Sequence, residues 1–254
     1  QQQAYADVLL SASLDRENLP NADGALLTHL VYGALRWRGR IDWALSNLLR
    51  KPLEELDPVI RNLLRLGGYE LLFLDRIPAY ATVNELVDLA RTRTGPGKTR
   101  LVNAVLRRLA GQEREAWSPP PASSKIEEVS ALVSHPTWLV RLWRKQFGEN
   151  QSRELMDANN KEAPLVLRTN RRRTNRDELM RRLRSRGIEA KPGIWSPLAV
   201  HVHGAASPAK LTEFREGLCQ VQGEASQLVS FLVGPEPGMR ILDVCAAPGG
   251  KTTH

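Results

Sequence analysis

Cysteine is scarce in this 254-residue chain: Cys219 and Cys245 are the only two. Two cysteines cannot build a disulfide framework, and alone they cannot make a zinc site. A reducing, cytoplasmic setting without metal is therefore expected. Long apolar runs are also missing. None approaches the roughly 20 residues a helix needs to span a bilayer, so no membrane partner is expected. The opening "QQQAYADVLL" lacks both the basic-then-apolar layout of a secretory signal and an initiator Met, so a few residues are expected to precede it. There are no internal repeats, which excludes solenoids and propellers. What is present, 42% hydrophobic and 25% charged residues, fits a globular protein of one large or two to three small domains.

Charge is unevenly spread. The formal net charge is +8, and residues 161–191 alone hold 11 Lys and Arg against 4 Asp and Glu. A local excess of that size points to a polyanion, most simply nucleic acid; the alternative is a solvated arginine face that keeps the protein in solution.

The first stretch, to about Gly111, reads as all-helical. In "VIRNLLRLGGYELLFL", Ile60, Leu63, Leu64, Gly67, Leu71 and Leu74 share one helix face. Thr82 and Glu85 have the spacing of a capping box, predicting a helix that opens at Val83. "TRLVNAVLRRLA" puts Leu101, Val102, Val105, Leu106 and Leu109 on one face, with Lys98, Arg100, Arg107 and Arg108 around it. "WSPPPASSK", residues 117–125, cannot continue a helix and is expected to link domains. Beyond it, strand candidates "PLVLRTN" and "LAVHVHG" alternate with a basic helix whose box ends are Asn175 and Glu178. That alternation suggests a small α/β domain over 126–206.

From 207 onward a helix ("GEASQLVSFLV") precedes "MRILDV" and the turn "CAAPGGKTTH". A strand, a glycine turn and a helix start make the first βα unit of a doubly wound, Rossmann-like sheet, whose ligands bind at the strand's carboxyl end. Three ligands compete with an empty turn. A P-loop ends in Gly-Lys-Thr as here, but its first glycine position is Cys245. A dinucleotide fingerprint needs spaced glycines, and Gly249 and Gly250 are adjacent. S-adenosylmethionine, which has no large anionic phosphate, remains. An ordinary βα turn would not need so many small residues in a row.

"LDVCAAPGGKTTH" closely resembles the cofactor motif of RNA cytosine-C5 methyltransferases of the Sun/Nop2 type. "LVYGALRW", "RIPAYATVNELVDLAR" and "VNAVLRRL" resemble the NusB-like helical domain found in one branch. "HPTWLVRLW", "ANNKEAPLVLRTN" and "VQGEASQLV" resemble the segment joining it to the catalytic domain. The resemblance covers essentially the whole chain and departs at Gly223, where the family usually has an acidic residue. It implies a mixed fold: an all-α bundle over 1–116, a linker over 117–125, the basic domain over 126–206, and the start of a class I methyltransferase domain over 207–254. It also implies that S-adenosylmethionine is held by Cys245, Ala246, Ala247, Pro248, Gly249, Gly250 and Lys251, with Asp243 ordering the loop.

In this family a cysteine thiolate adds to C6 of cytosine, the methyl group of S-adenosylmethionine transfers to C5, and a base removes the C5 proton so that the thiolate leaves C6. The family carries that cysteine well downstream of the glycine turn, so no catalytic residue is expected among these 254 and the fragment is expected to be inactive. The expected substrate is small-subunit ribosomal RNA, and the protein is expected to be a monomer. For RNA contact the candidates are Arg168, Asn170, Arg171, Arg172, Arg173 and Arg176, with Lys98, Arg100, Arg107 and Arg108 as a second surface. Trp195 and His201 could stack on bases, although a lone Trp is more often core. Two rival readings stay open: a NusB-like RNA- and protein-binding module of transcription antitermination, and a sister methyltransferase acting on tRNA.

Overall fold

The computed structural model describes residues 5–17, 19–120, 125–203 and 208–254. The chain forms two compact units, 1–161 and 162–254.

The first unit is helical: α1 (Ala6–Glu17), α2 (Asn21–Arg36), α3 (Arg38–Ser46), α4 (Pro58–Phe73), α5 (Ala79–Arg93), α6 (Pro96–Ala110), α7 (Ile126–Val133) and α8 (Thr137–Asn159). Pro58 and Pro96 open α4 and α6, where the missing N–H costs nothing, and the Asp57 carboxylate caps α4 by accepting from Val59 N. The apolar face read from the sequence is the buried one: Ile60, Leu63 and Leu64 pack with Val102, Val105, Leu106 and Leu109. Gly67 lets α4 approach its neighbours. A Cβ there would lie 2.7 Å from side-chain carbons of both Leu86 and Leu106.

Two expectations fail in this unit. Helix α5 starts at Ala79, so Thr82 lies inside it, buried, and donates to Glu70 Oε2 at 2.7 Å instead of capping. The local Thr–Glu spacing loses to this tertiary partner and to Pro78, which already sets the helix start. Trp117, expected to open the linker, is buried in the bundle core and donates from Nε1 to Leu109 O. Of the linker, residues 121–124 lie outside the described residues.

The second unit is an antiparallel sheet of order β2-β3-β1-β4, made of β1 (Leu165–Thr169), β2 (Glu189–Pro192), β3 (Ala199–His203) and β4 (Cys219–Val221). Helix α9 (Arg176–Ser185) joins β1 to β2, and β3 inserts between them, a split β-α-β arrangement. The strand-helix alternation is therefore present, but the sheet is not the parallel one that pattern favours, because the short 193–198 connection returns β3 antiparallel. Asn175 Oδ1 accepts from Glu178 N and caps α9, as expected. Leu179, Met180 and Leu183 pack on Leu167, Val200, Val202 and Cys219 across one sheet face. Helices α10 (Thr212–Arg215) and α11 (Glu224–Val233) complete the unit. Residues 207–233, expected to open a third domain, thus supply β4 and α11 to it.

The expected βα unit at 239–254 is not formed: these residues make turns, with no strand and no helix. The physical reason is pairing. A parallel strand needs a neighbour to take its N–H and C=O groups, and no described strand pairs with 239–244. Among the described residues no helix is long and apolar enough to cross a membrane, and no cluster of three His, Cys, Asp or Glu could hold a metal.

Candidate functional site

Strand β1 sorts its side chains by alternation. Leu167 and Thr169 are buried, with Leu167 in the helix-backed core, while Arg168 projects from the other face with Gln220 of the neighbouring β4. Arg168 is only 6% exposed. The placement corrects its expected role as a surface phosphate contact. Its Nη1 donates to Gln222 Oε1 at 2.9 Å and to Gly250 O at 2.7 Å, and its Nη2 donates to Gln220 Oε1 at 2.7 Å and Thr253 Oγ1 at 3.2 Å. Gln222 Nε2 adds a second bond to Gly250 O at 2.8 Å. The arginine fork thus holds the glycine turn against the polar face of the sheet. Burial lowers the Arg168 pKa from its ordinary value.

The turn itself is ordered by Asp243. Its carboxylate accepts from Cys245 N at 3.0 Å and from Thr252 Oγ1 at 2.7 Å, which lowers its pKa. Gly249 has φ of +95°, a conformation that favours glycine, and its N–H donates to Ala246 O. The backbone N–H groups of Ala246, Ala247, Gly250, Lys251 and Thr252 find no acceptor among the described residues. Free N–H groups on a small-residue turn fit a ligand that carries hydrogen-bond acceptors, as S-adenosylmethionine does. All seven expected cofactor residues, Cys245 to Lys251, lie on this one turn, and Cys245 is exposed.

Sequence reasoning missed a second polar centre. Glu224, at the start of α11, accepts from Ile194 N at 3.2 Å, Trp195 N at 2.7 Å and Ser196 N at 2.8 Å, and His201 Nε2 lies 2.5 Å from it. Burial opposes ionisation, yet the bonds from Ser196, Trp195, His201 and Ile194 outweigh it and hold the carboxyl down at about 2. Ser196 Oγ donates to Gln227 Oε1, and Gln227 Nε2 donates to Gln222 O, so the network ends at the glutamine that grips the turn. The signal is "QGEASQ", where Glu224, Ser226 and Gln227 crowd the first turn of the expected helix.

The remaining RNA candidates divide. Asn170 is a scaffold: Nδ2 donates to Gly217 O and Oδ1 accepts from Arg172 N, forming an Asx turn. Arg173 donates to Glu216 O. Arg171 and Arg172 are exposed, with no side-chain partner among the described residues, and Arg176 is half-buried. The neighbouring arginines are engaged: Arg181 with Glu178, Arg182 with Glu178 and Glu216, Arg186 with Glu213, and Arg184 with Ala190 O. In the bundle, Lys98 pairs with Asp57 and Arg107 with Asn103 Oδ1.

Comparison with known proteins places this architecture in a class. Residues 1–111 match the NusB family, and residues 135–208 match the ferredoxin-like domain described as Methyltr_RsmF/B-like. The segment similar to the NusB family thus precedes the one similar to the RsmF/B-like ferredoxin-like domain. Over nearly its whole length the chain is similar to the ribosomal RNA small subunit methyltransferase B of Pseudomonas putida, 36% identical over 96% of this chain and 54% of that protein. It is likewise similar to the probable ribosomal RNA small subunit methyltransferase B of Bacillus subtilis, 32% identical over 100% of this chain and 56% of that protein. The chain spans about half the length of the curated relatives it matches. The crystal structure of PH0851 aligns with a TM-score of 0.71 at 25% identity, covering 91% of this chain and 51% of that one.

Proposed function

We propose that these residues form the RNA-binding and first cofactor-binding part of an S-adenosylmethionine-dependent RNA cytosine-C5 methyltransferase acting on small-subunit (16S) ribosomal RNA in the cytoplasm. The observation that carries this reading is the glycine turn: small residues with free N–H groups, held on a polar sheet face by Arg168 and Gln222. The names of the similar proteins support the same substrate. In this reading the helical unit and the basic sheet unit bind RNA, and the glycine turn after α11 opens the methyltransferase domain. Although 239–244 is not a strand here, its exposed Ile241, Leu242 and Val244 give it the composition of a strand of a doubly wound sheet, and it would form one beside a parallel neighbour.

S-adenosylmethionine, when bound, supplies the methyl group; Cys245 to Lys251 would hold it through the turn's backbone, and Asp243 keeps that backbone in shape. Neither cysteine here suits the nucleophile. Cys219 is buried, and burial, with the Glu213 charge, pushes its thiol up to about 12, leaving almost no thiolate at neutral pH. Cys245 belongs to the turn. In this reading the catalytic thiol lies outside residues 1–254, and this stretch alone should transfer no methyl group. Bisulfite sequencing of small-subunit rRNA from a strain lacking the gene tests the reading: one C5-methylated cytosine should disappear, and an unchanged pattern refutes it. Radiolabelled methyl incorporation by residues 1–254 alone would refute the placement of the thiol.

A further inference from the structure

The β2–β3 connection ends in an apolar tip that the proposed function does not use. Ile194 is 78% and Trp195 72% exposed, so Trp195 is not core. Large side chains at a free loop tip normally accompany a mobile loop, but this one is fixed from beneath. The Glu224 carboxylate takes all three consecutive N–H groups of Ile194, Trp195 and Ser196, and Ser196 is further anchored to buried Gln227. Gly193 permits the close approach: a Cβ there would lie 2.4 Å from Ala199 Cβ and 2.7 Å from Glu224 Oε2.

The tip shares an end of the sheet with two other features. Thr169, the last residue of β1, donates both N and Oγ1 to Leu198 O, so the 170–173 turn and the 193–198 loop emerge side by side. The free arginines Arg171 and Arg172 sit on that turn. Arg171 is also close enough to the glycine turn to help lower the His254 pKa, after burial and the Arg168 charge. One end of the sheet thus presents an exposed indole on an anchored loop and, beside the glycine turn, two guanidinium groups with no side-chain partner among the described residues.

We propose that Trp195 is a stacking platform for an unpaired base of single-stranded RNA, with Arg171 and Arg172 contacting the flanking phosphates. The reading rests on the RNA-directed function proposed above and adds a residue that touches substrate. A base stacks on any aromatic face, and the neighbouring positive charge fits the backbone of that strand rather than an apolar protein surface. Because Glu224 fixes the loop beforehand, little ordering cost falls on binding.

Titrations of residues 1–254 with three probes test it: a 12-nucleotide single-stranded RNA, the same RNA paired with its complement, and an abasic 12-mer. Trp195→Ala should weaken the single strand by about 10-fold, within the range for base–aromatic stacking, and leave the abasic 12-mer and the salt slope unchanged. Trp195→Phe should restore most of the affinity, and the duplex should be indifferent to both changes. RNA-dependent quenching present in wild type and lost in Trp195→Phe gives a second readout independent of affinity. Equal affinities of wild type and Trp195→Ala for the single strand overturn the proposal, as does an equal loss on the abasic 12-mer. Single-strand binding undiminished in Trp195→Ala refutes only this inference; no RNA binding by the wild type refutes it and the functional reading together.

Discussion

Replacing Arg168 with Met separates the two roles this residue could have. As a surface phosphate contact it would be dispensable for folding. In the structure it is a buried cation whose acceptors are all neutral: Gln222 Oε1, Gln220 Oε1, Gly250 O and Thr253 Oγ1. Met cannot donate to any of them. Gly250 O keeps its bond from Gln222, but Gln222 Oε1 is left buried without a donor, and such an orphan costs about 1–3 kcal/mol. Removing an unpaired buried charge recovers part of its desolvation cost. The two terms leave a net loss of about 1 kcal/mol. For a unit the size of residues 162–254, that lowers the melting temperature by about 4–8 °C. Arg168→Lys keeps the charge but not the planar fork, so it should fall between the two. Calorimetry gives the melting shift, and hydrogen exchange should show faster loss of protection at Thr253 and His254, whose amides are bonded within the turn. If Arg168→Met melts within about 1 °C of wild type and exchange in the turn is unchanged, the clamp does not exist.

Two further predictions concern α11. The Glu224 carboxyl is depressed to about 2, below its unfolded value near 4.3, so its contribution is full above that unfolded value and is lost as pH falls from about 4 to 2. Acid titration of stability should therefore show a loss in that window that Glu224→Gln flattens, and identical acid profiles would refute the role. Gly223 is the N-cap of α11 with no side-chain bond, at a φ of −62°, and a Cβ there meets nothing within 4 Å. Gly223→Asp should therefore stabilise the unit by about 0.5–1 kcal/mol through capping and a less flexible unfolded chain, measured by denaturant unfolding; a destabilised variant would refute this.

The sequence was most legible where signals are local. The apolar period placed α4 and α6 and their buried faces, and Asn175 with Glu178 marked the start of α9 because cap and partner lie three residues apart. The same spacing misled at Thr82, whose hydroxyl is claimed by Glu70 from another helix. Trp117 looked like linker because prolines follow it, yet its indole reaches back to Leu109. Residues 239–244 read as a strand on composition, but a strand is completed by a neighbour, which composition does not supply. At the site, type stood in for direction. A run of arginines suggests one surface, whereas strand alternation buries Arg168 and the Asx turn after it frees Arg171 and Arg172. Glu224 was invisible because its partners, three backbone N–H groups and the His201 ring, lie 23 to 30 residues away.

The stretch "LRTNRR", Leu167 to Arg172, shows how such compression is possible. A strand turns successive side chains to opposite faces, so Leu167 can join the core while Arg168 grips the turn. Asn170 then stops the alternation: its amide donates to Gly217 O and its carbonyl oxygen accepts from Arg172 N, which directs the next two arginines outward. Core, glycine turn and the proposed RNA contact are thus set by neighbouring residues but stabilised by different partners. Damage to each should be separable. A fault at Leu167 costs the unit its packing, one at Arg168 loosens the turn, and one at Arg171 or Arg172 leaves the fold intact and weakens only phosphate contact. The single residue whose loss should reach two of these roles is Asn170, because it fixes the turn that carries the free arginines and ties β1 to the loop before β4.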